Sequence, residues 1–170
     1  STIEGNHLIG NQDNVVILDG TLNVIGGGMA NVTSGGLVGV AIATTGVEDP
    51  TSWPSFSLLT RDNTVVGNFI GTDPSGTADL GNHIGIDIET DDPLLMSLQP
   101  LLPTQVPRYT TSILSNVIPG NDTGIRLTGP FAAGTVMAGN LIGTDATGTT
   151  DLGNAQDGVK SVNADANTLM

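Results

Sequence analysis

The chain contains no cysteine. That removes disulfides and thiolate metal ligands from consideration and leaves the redox compartment unmarked. Aromatic residues are scarce, with one Trp, one Tyr and three Phe in 170 residues, so a core built from this sequence must be made of Val, Ile, Leu and Ala. Basic residues are fewer still, four against seventeen acidic ones, for a formal charge of −13. Such a surface repels a phosphate backbone and has no Lys/Arg patch to overcome the repulsion, which argues against nucleic acid as a partner. No run of roughly 20 apolar residues exists to insert in a bilayer. The acidic excess itself is compatible with simple solubility and with bound cations.

Glycine, by contrast, is plentiful at 24 residues, and it recurs in a pattern. GNFIGTDPSGTADLGN from Gly67 to Asn82 returns 72 residues later as GNLIGTDATGTTDLGN from Gly139 to Asn154, with twelve of the sixteen positions identical. NVTSGGLVGVAI from Asn31 is matched by NVIPGNDTGIRL from Asn116, and GNHLIG from Gly5 echoes the head of the longer motif. Each unit reads as a short strand, a Gly/Asn turn able to take positive φ, and a second short strand. No such strand can bury both faces alone. In a coiled solenoid each pairs with its counterparts one turn above and below, inward Val, Ile and Leu stack into a continuous core, and repeated Asn side chains form hydrogen-bonded ladders at the corners. Three turns across the 72-residue offset would give a period of about 24 residues, within the range of solenoids.

The strings GNxIGTDxxGTxxLGN, NVIGGG at Asn23 to Gly28 and NVIPGN at Asn116 to Asn121 resemble the repeat of large secreted bacterial proteins of the right-handed parallel β-helix, pectin-lyase-like group. The resemblance covers most of the chain. It implies an all-β, right-handed parallel β-helix of about six coils in a single domain, residues 1–170, and a secreted or cell-surface location; it implies an activity only weakly.

Two segments depart from the repeat, approximately residues 43–62 and 89–109. They hold most of the prolines and three of the five aromatics, Trp53, Phe56 and Tyr109. Proline cannot donate to a strand ladder, so both are expected to leave the solenoid as loops. Their aromatics are candidate contacts to a partner, protein or carbohydrate; the other reading is that the loops cover apolar surface of the coil.

Two groups of carboxylates are candidate chemistry. In GIDIETDDP, Asp87 and Glu89 lie two apart on the outward face of a strand, with Asp91 and Asp92 just beyond. In the resembled group, outward carboxylates hold calcium in pectate lyases and supply acid and base in polygalacturonases, which would imply binding or cleavage of an acidic polysaccharide. The motifs of the latter family are missing, and no basic residue is assignable to the cluster. An acidic strand end entering a loop is the plainer reading. The repeated Asp73, Asp79, Asp145 and Asp151 offer oxygen ligands suited to calcium, while the same GTDxxGT spacing is also ordinary turn capping. His7 and His83 fall in different registers and are expected at the surface. No local context supports a Ser-His-Asp triad.

The chain opens at Ser1 inside the repeat pattern, as expected of a processed product or excised piece. Neither end reads as a cap, which points either to copies stacked end to end or to a longer β-helix. The expected function is therefore a non-catalytic structural subunit or segment of an extracellular or cell-surface assembly, with filament formation by axial stacking. Calcium-assisted polysaccharide chemistry and adhesion stand as the alternatives.

Overall fold

Strands of two to six residues, separated by turns, wind round a common axis in a computed structural model that describes residues 1–18, 20–44, 60–90 and 110–170. The first coil contains β1 (Thr2–Ile3), β2 (His7–Ile9) and β3 (Asp13–Leu18). The second has β4 (Val24–Gly26), β5 (Val32–Ser34) and β6 (Val38–Ala43), and the third β7 (Thr64–Val66), β8 (Phe69–Ile70) and β9 (Ile84–Glu89). The fourth has β10 (Ser112–Leu114), β11 (Val117–Ile118) and β12 (Thr123–Thr128). The fifth has β13 (Val136–Ala138), β14 (Leu141–Ile142) and β15 (Asp157–Val162), and β16 (Thr168–Leu169) begins a sixth. Corresponding strands pair in parallel as three sheets, β1-β4-β7-β10-β13-β16, β2-β5-β8-β11-β14 and β3-β6-β9-β12-β15. The fold is thus a parallel β-helix, as the repeats require. Among the described residues the only helix is a single 3-10 turn, Pro130–Ala132, and no helix is long and apolar enough to cross a membrane.

The register explains why the core needs no aromatic residue. One inward column of the first sheet runs Ile3, Ile25, Val65, Ile113, Met137 and Leu169. Two columns line the third sheet: Val15, Val40, Ile86, Ile125, Val159, and Ile17, Ile42, Ile88, Leu127, Ser161. Like side chains repeat at the strand spacing and fill the tube, and each fully buried Ile or Val adds about 1.5–3 kcal/mol. Beside them Gly39, Gly85, Gly124 and Gly158 repeat coil by coil. A Cβ on Gly85 would lie 2.5 Å from the carbonyl oxygen of Gly124, so close approach of successive backbones at this bend is what requires glycine.

Asparagine ladders hold the corners. Asn6, Asn31, Asn68, Asn116 and Asn140 stack along the axis, and each Nδ2 donates to the next Oδ1 at 3.0 Å. The same Oδ1 also accepts the backbone N–H of the preceding Asn. A second ladder runs through Asn82, Asn121 and Asn154. Buried corner amides are thereby satisfied without water.

Two expectations need adjustment. The 72-residue offset spans two coils, not three, because β7 and β13 both pair with β10. A plain coil is short, with Ser112 and Val136 24 residues apart in register, and the coil from Thr64 to Ser112 is lengthened by both the loop of the long motif and the second insertion. The insertion boundaries also shift inward. Ala43 and Glu89 still belong to β6 and β9, and Thr60 is already back in the solenoid, its hydroxyl donating to the Ala43 carbonyl at 2.7 Å. Trp53, Phe56, Tyr109, Asp91 and Asp92 lie outside the described residues.

Candidate functional site

The outward face of the third sheet carries the first carboxylate candidate. Strand alternation sends Ile86 and Ile88 inward and Asp87 and Glu89 outward, as the sequence implies. The register then brings Arg126 of β12 directly beside Asp87. Its Nε donates to Oδ1 at 2.9 Å and its Nη2 to Oδ2 at 2.5 Å, a bidentate pair. The Asp87 side chain is only 7 % exposed and the Arg126 side chain 35 %. The hydrogen bond from Arg126 to Asp87 raises the guanidinium pKa above its ordinary value, with Asp87 and Glu89 adding Coulombic attraction and desolvation opposing. This corrects the expectation that no basic residue pairs with the cluster. Glu89 is exposed in the next outward column, between Ala43 and Thr128. Asp87 therefore does not present a free carboxylate to a cation or a sugar; its charge is neutralised by a neighbour one coil away.

The second candidate set sits on the two loops of the long motif. Asp73 Oδ1 accepts the N–H groups of Thr77 at 2.9 Å and Ala78 at 3.1 Å, and its Oδ2 accepts the Ser75 hydroxyl at 2.6 Å. Asp145 Oδ1 accepts the N–H groups of Thr147, Thr149 and Thr150, and the Thr147 hydroxyl at 2.8 Å. These bonds favour the ionised form. The hydroxyl of Ser75, followed by the Thr77 and Ala78 amides, holds the Asp73 carboxyl well below the usual carboxylate range. The Thr147 hydroxyl, and then the Thr150 and Thr149 amides, lower Asp145 to about 2 against opposing desolvation. Asp79 and Asp151 close the loops by backbone bridges to Thr72 and Thr144, and Asp151 Oδ1 accepts Gly153 N–H at 3.0 Å.

The loops cover a hydrophobic stripe. On the outer face of the second sheet His7, Val32, Phe69, Val117 and Leu141 form one column. A Cβ added to Gly76 would lie 2.8 Å from the Phe69 ring and 2.6 Å from Ala146 Cβ; one added to Gly148 would lie 3.4 Å from Leu141. The loops also touch each other, Ala146 N–H donating to Gly76 C=O at 2.9 Å, across the fourth coil, whose corner is the short Pro119–Gly120 turn. The duplicated motif is thus a pair of stacked covers, each held in shape by its aspartate. Among the described residues no three His, Asp or Glu side chains are grouped to hold a metal ion.

The histidines are both exposed and far apart in register. His83 Nδ1 lies 2.5 Å from Asp122 Oδ2 on the adjacent coil, a partner the sequence reading missed, as it missed Arg126. The signal was present: superposing GNHIGID at Gly81 on GNDTGIR at Gly120 places His83 over Asp122 and Asp87 over Arg126.

At the two axial faces the ladder leaves complementary groups. Asn6 donates to Asn31 and to Glu4 C=O, and among the described residues nothing donates to its Oδ1. At the other face Asn140 Nδ2 donates to Ile113 C=O at 2.8 Å and keeps a second N–H, while its backbone N–H also has no acceptor among the described residues. Half-buried Ile3, Leu8 and Ile17 border the core at one end and Ile142 and Val159 at the other. No family model matches this chain, and no curated protein or solved structure matches it either.

Proposed function

We propose that this chain is a non-catalytic structural unit of a secreted or cell-surface assembly that extends along the solenoid axis, by further copies of itself or by further coils of the same kind. The observation that carries the reading is the complementarity of the axial faces. The Oδ1 of Asn6 is the acceptor that the Nδ2 and backbone N–H of Asn140 would meet in one more step of the ladder. The apolar columns offer the same continuity, with Leu8 continuing Ile142 and Val15 continuing Val159. The carboxylates singled out as chemical candidates support a structural role as well, since Asp87 is occupied by Arg126 and Asp73 and Asp145 by their own turns. That occupancy weakens the alternative of calcium-assisted binding or cleavage of an acidic polysaccharide.

Negative-stain microscopy across a concentration series, with calcium and with a chelator, tests the proposal. Filaments one solenoid wide are expected, and Asn140→Ala should raise the concentration at which they form. Monomers of the intact chain at every concentration would leave only a segment of a longer solenoid.

A further inference from the structure

Two asparagines of the ladders open the tripeptide N-x-T, NVT from Asn31 to Thr33 and NDT from Asn121 to Thr123, and the chain contains no other N-x-S or N-x-T. The tripeptide is the acceptor of N-linked glycan transfer, and because a transferase must reach both the amide and the hydroxyl, acceptors belong in surface loops. Here both lie inside. Asn31, Thr33 and Asn121 are 0 % exposed and Thr123 is 6 % exposed. Neither amide has a hydrogen to spare. Asn31 Nδ2 donates to Ile3 C=O at 2.8 Å and to Asn68 Oδ1 at 3.0 Å, and Asn121 Nδ2 faces Pro119 C=O at 2.8 Å, Ile70 C=O at 3.2 Å and Asn154 Oδ1 at 3.3 Å.

We propose that Asn31 and Asn121 are glycan acceptors in the unfolded chain only, and that a glycan on either amide excludes the fold. Transfer joins Nδ2 to the anomeric carbon of a sugar carried on a lipid pyrophosphate; the pyrophosphate leaves with the bonding electrons and the amide loses one proton. A modified Asn31 keeps one N–H for two acceptors, and its sugar starts where Asn68 Oδ1 and Ile3 C=O now close round the nitrogen. The ladder breaks at that coil and leaves buried partners unpaired. The inference does not depend on what the solenoid stacks against. It selects a route of export, one that leaves asparagine amides unmodified.

The order of the chain decides the competition between transferase and fold. Asn68, which encloses Asn31 from the next coil, lies 37 residues further on, about 2–7 s of synthesis at roughly 5–20 residues per second. Until then the acceptor is uncovered on that side. Asn121 likewise waits 33 residues for Asn154. The acceptor hydroxyls can be removed without touching a ladder asparagine. Thr33 Oγ1 is buried with no hydrogen-bond partner among the described residues, so Thr33→Val deletes an unpaired buried hydroxyl. Thr123→Val keeps a β-branched residue at the start of β12.

Expression of the full chain through a secretory pathway that carries the transferase, beside expression in a cell that lacks it, tests the proposal. Glycan is read by glycosidase shift and mass spectrometry, and folding by resistance to protease. Without the transferase the parent chain and Thr33→Val/Thr123→Val should both be resistant. With it, the parent should carry glycan at Asn31, every modified molecule should be protease-sensitive, and the double variant should yield severalfold more resistant protein than the parent. The parent made under an inhibitor of lipid-linked donor synthesis should match the double variant, which frees the test from the substitutions. Resistant molecules bearing glycan at Asn31 or Asn121 would overturn the exclusion, as would a parent chain that stays protease-sensitive under the inhibitor. A parent left unmodified by the transferase would overturn the assignment of the acceptors. None of these readouts involves filaments, so each leaves the axial reading where it stands.

Discussion

Asn68 Nδ2 donates to Asn116 Oδ1 at 3.0 Å although the two residues lie 48 positions apart. Asn68 is 1 % exposed. Its amide accepts from the backbone and side chain of Asn31 and donates again to Ile25 C=O at 2.9 Å. One side chain thus binds three successive coils, and no shorter or apolar residue can replace it.

Asn68→Ala is expected to destabilise the protein by about 3 kcal/mol or more, because several buried donors and acceptors lose partners worth about 1–3 kcal/mol each. Asn68→Asp should do at least as much harm, since a carboxylate would face the Ile25 carbonyl. Urea unfolding of both variants checks this; a loss below 1 kcal/mol would mean the ladder is incidental to stability.

The Asp87–Arg126 pair gives a second prediction. Arg126→Ala leaves a buried carboxylate without its partner and should cost about 3 kcal/mol, near the low end for such pairs because the guanidinium is partly exposed. The double variant Asp87→Leu/Arg126→Met should recover most of the loss. A double variant no better than the single one would show that the pair does more than neutralise charge.

Acid should loosen the loop covers. The folded-state pKa of Asp145 lies at about 2 and that of Asp73 is also depressed, so the unfolded chain binds protons more tightly than the native one. The stabilisation is complete above the ordinary Asp value of about 3.9 and is lost as pH falls through the folded value. From these two groups the melting temperature should be flat between pH 8 and 5 and fall from about pH 4 toward 2. Asp73→Asn/Asp145→Asn should show a shallower acid decline by calorimetry.

The same hydrogen bonds bear on calcium. Asp73 and Asp145 spend their oxygens on their own turns, so the melting temperature is expected to be the same in calcium and in chelator. A rise of several degrees with calcium would bring the metal reading of Asp73, Asp79, Asp145 and Asp151 back to the front.

The proposed axial contact would have one unfavourable feature. Asp13 begins the third-sheet column that Asp157 ends, so stacked copies would set two carboxylates in facing positions. Asp13→Asn should lower the critical concentration for assembly, and added salt should do the same for the parent chain. Indifference to both would argue against this register.

The repeats were legible in the sequence because a parallel solenoid writes its geometry locally. Inward Val and Ile, corner Asn and the glycines of each bend recur in every coil, so the all-β class, the outward place of Asp87 and Glu89 and the asparagine ladders followed from spacing. The number of coils between the two long motifs did not, because the length of an insertion and the length of a turn add to one offset. Nor did the loops' role as stacked covers, since Gly76 meets Ala146 only once the chain has wound twice. Strands and corners are thus encoded locally, whereas which charges meet depends on how the coils are wound. Asp87 and Arg126 are 39 residues apart and join only through the register of β9 on β12, and register is settled by the burial of whole inward columns, to which neither side chain belongs.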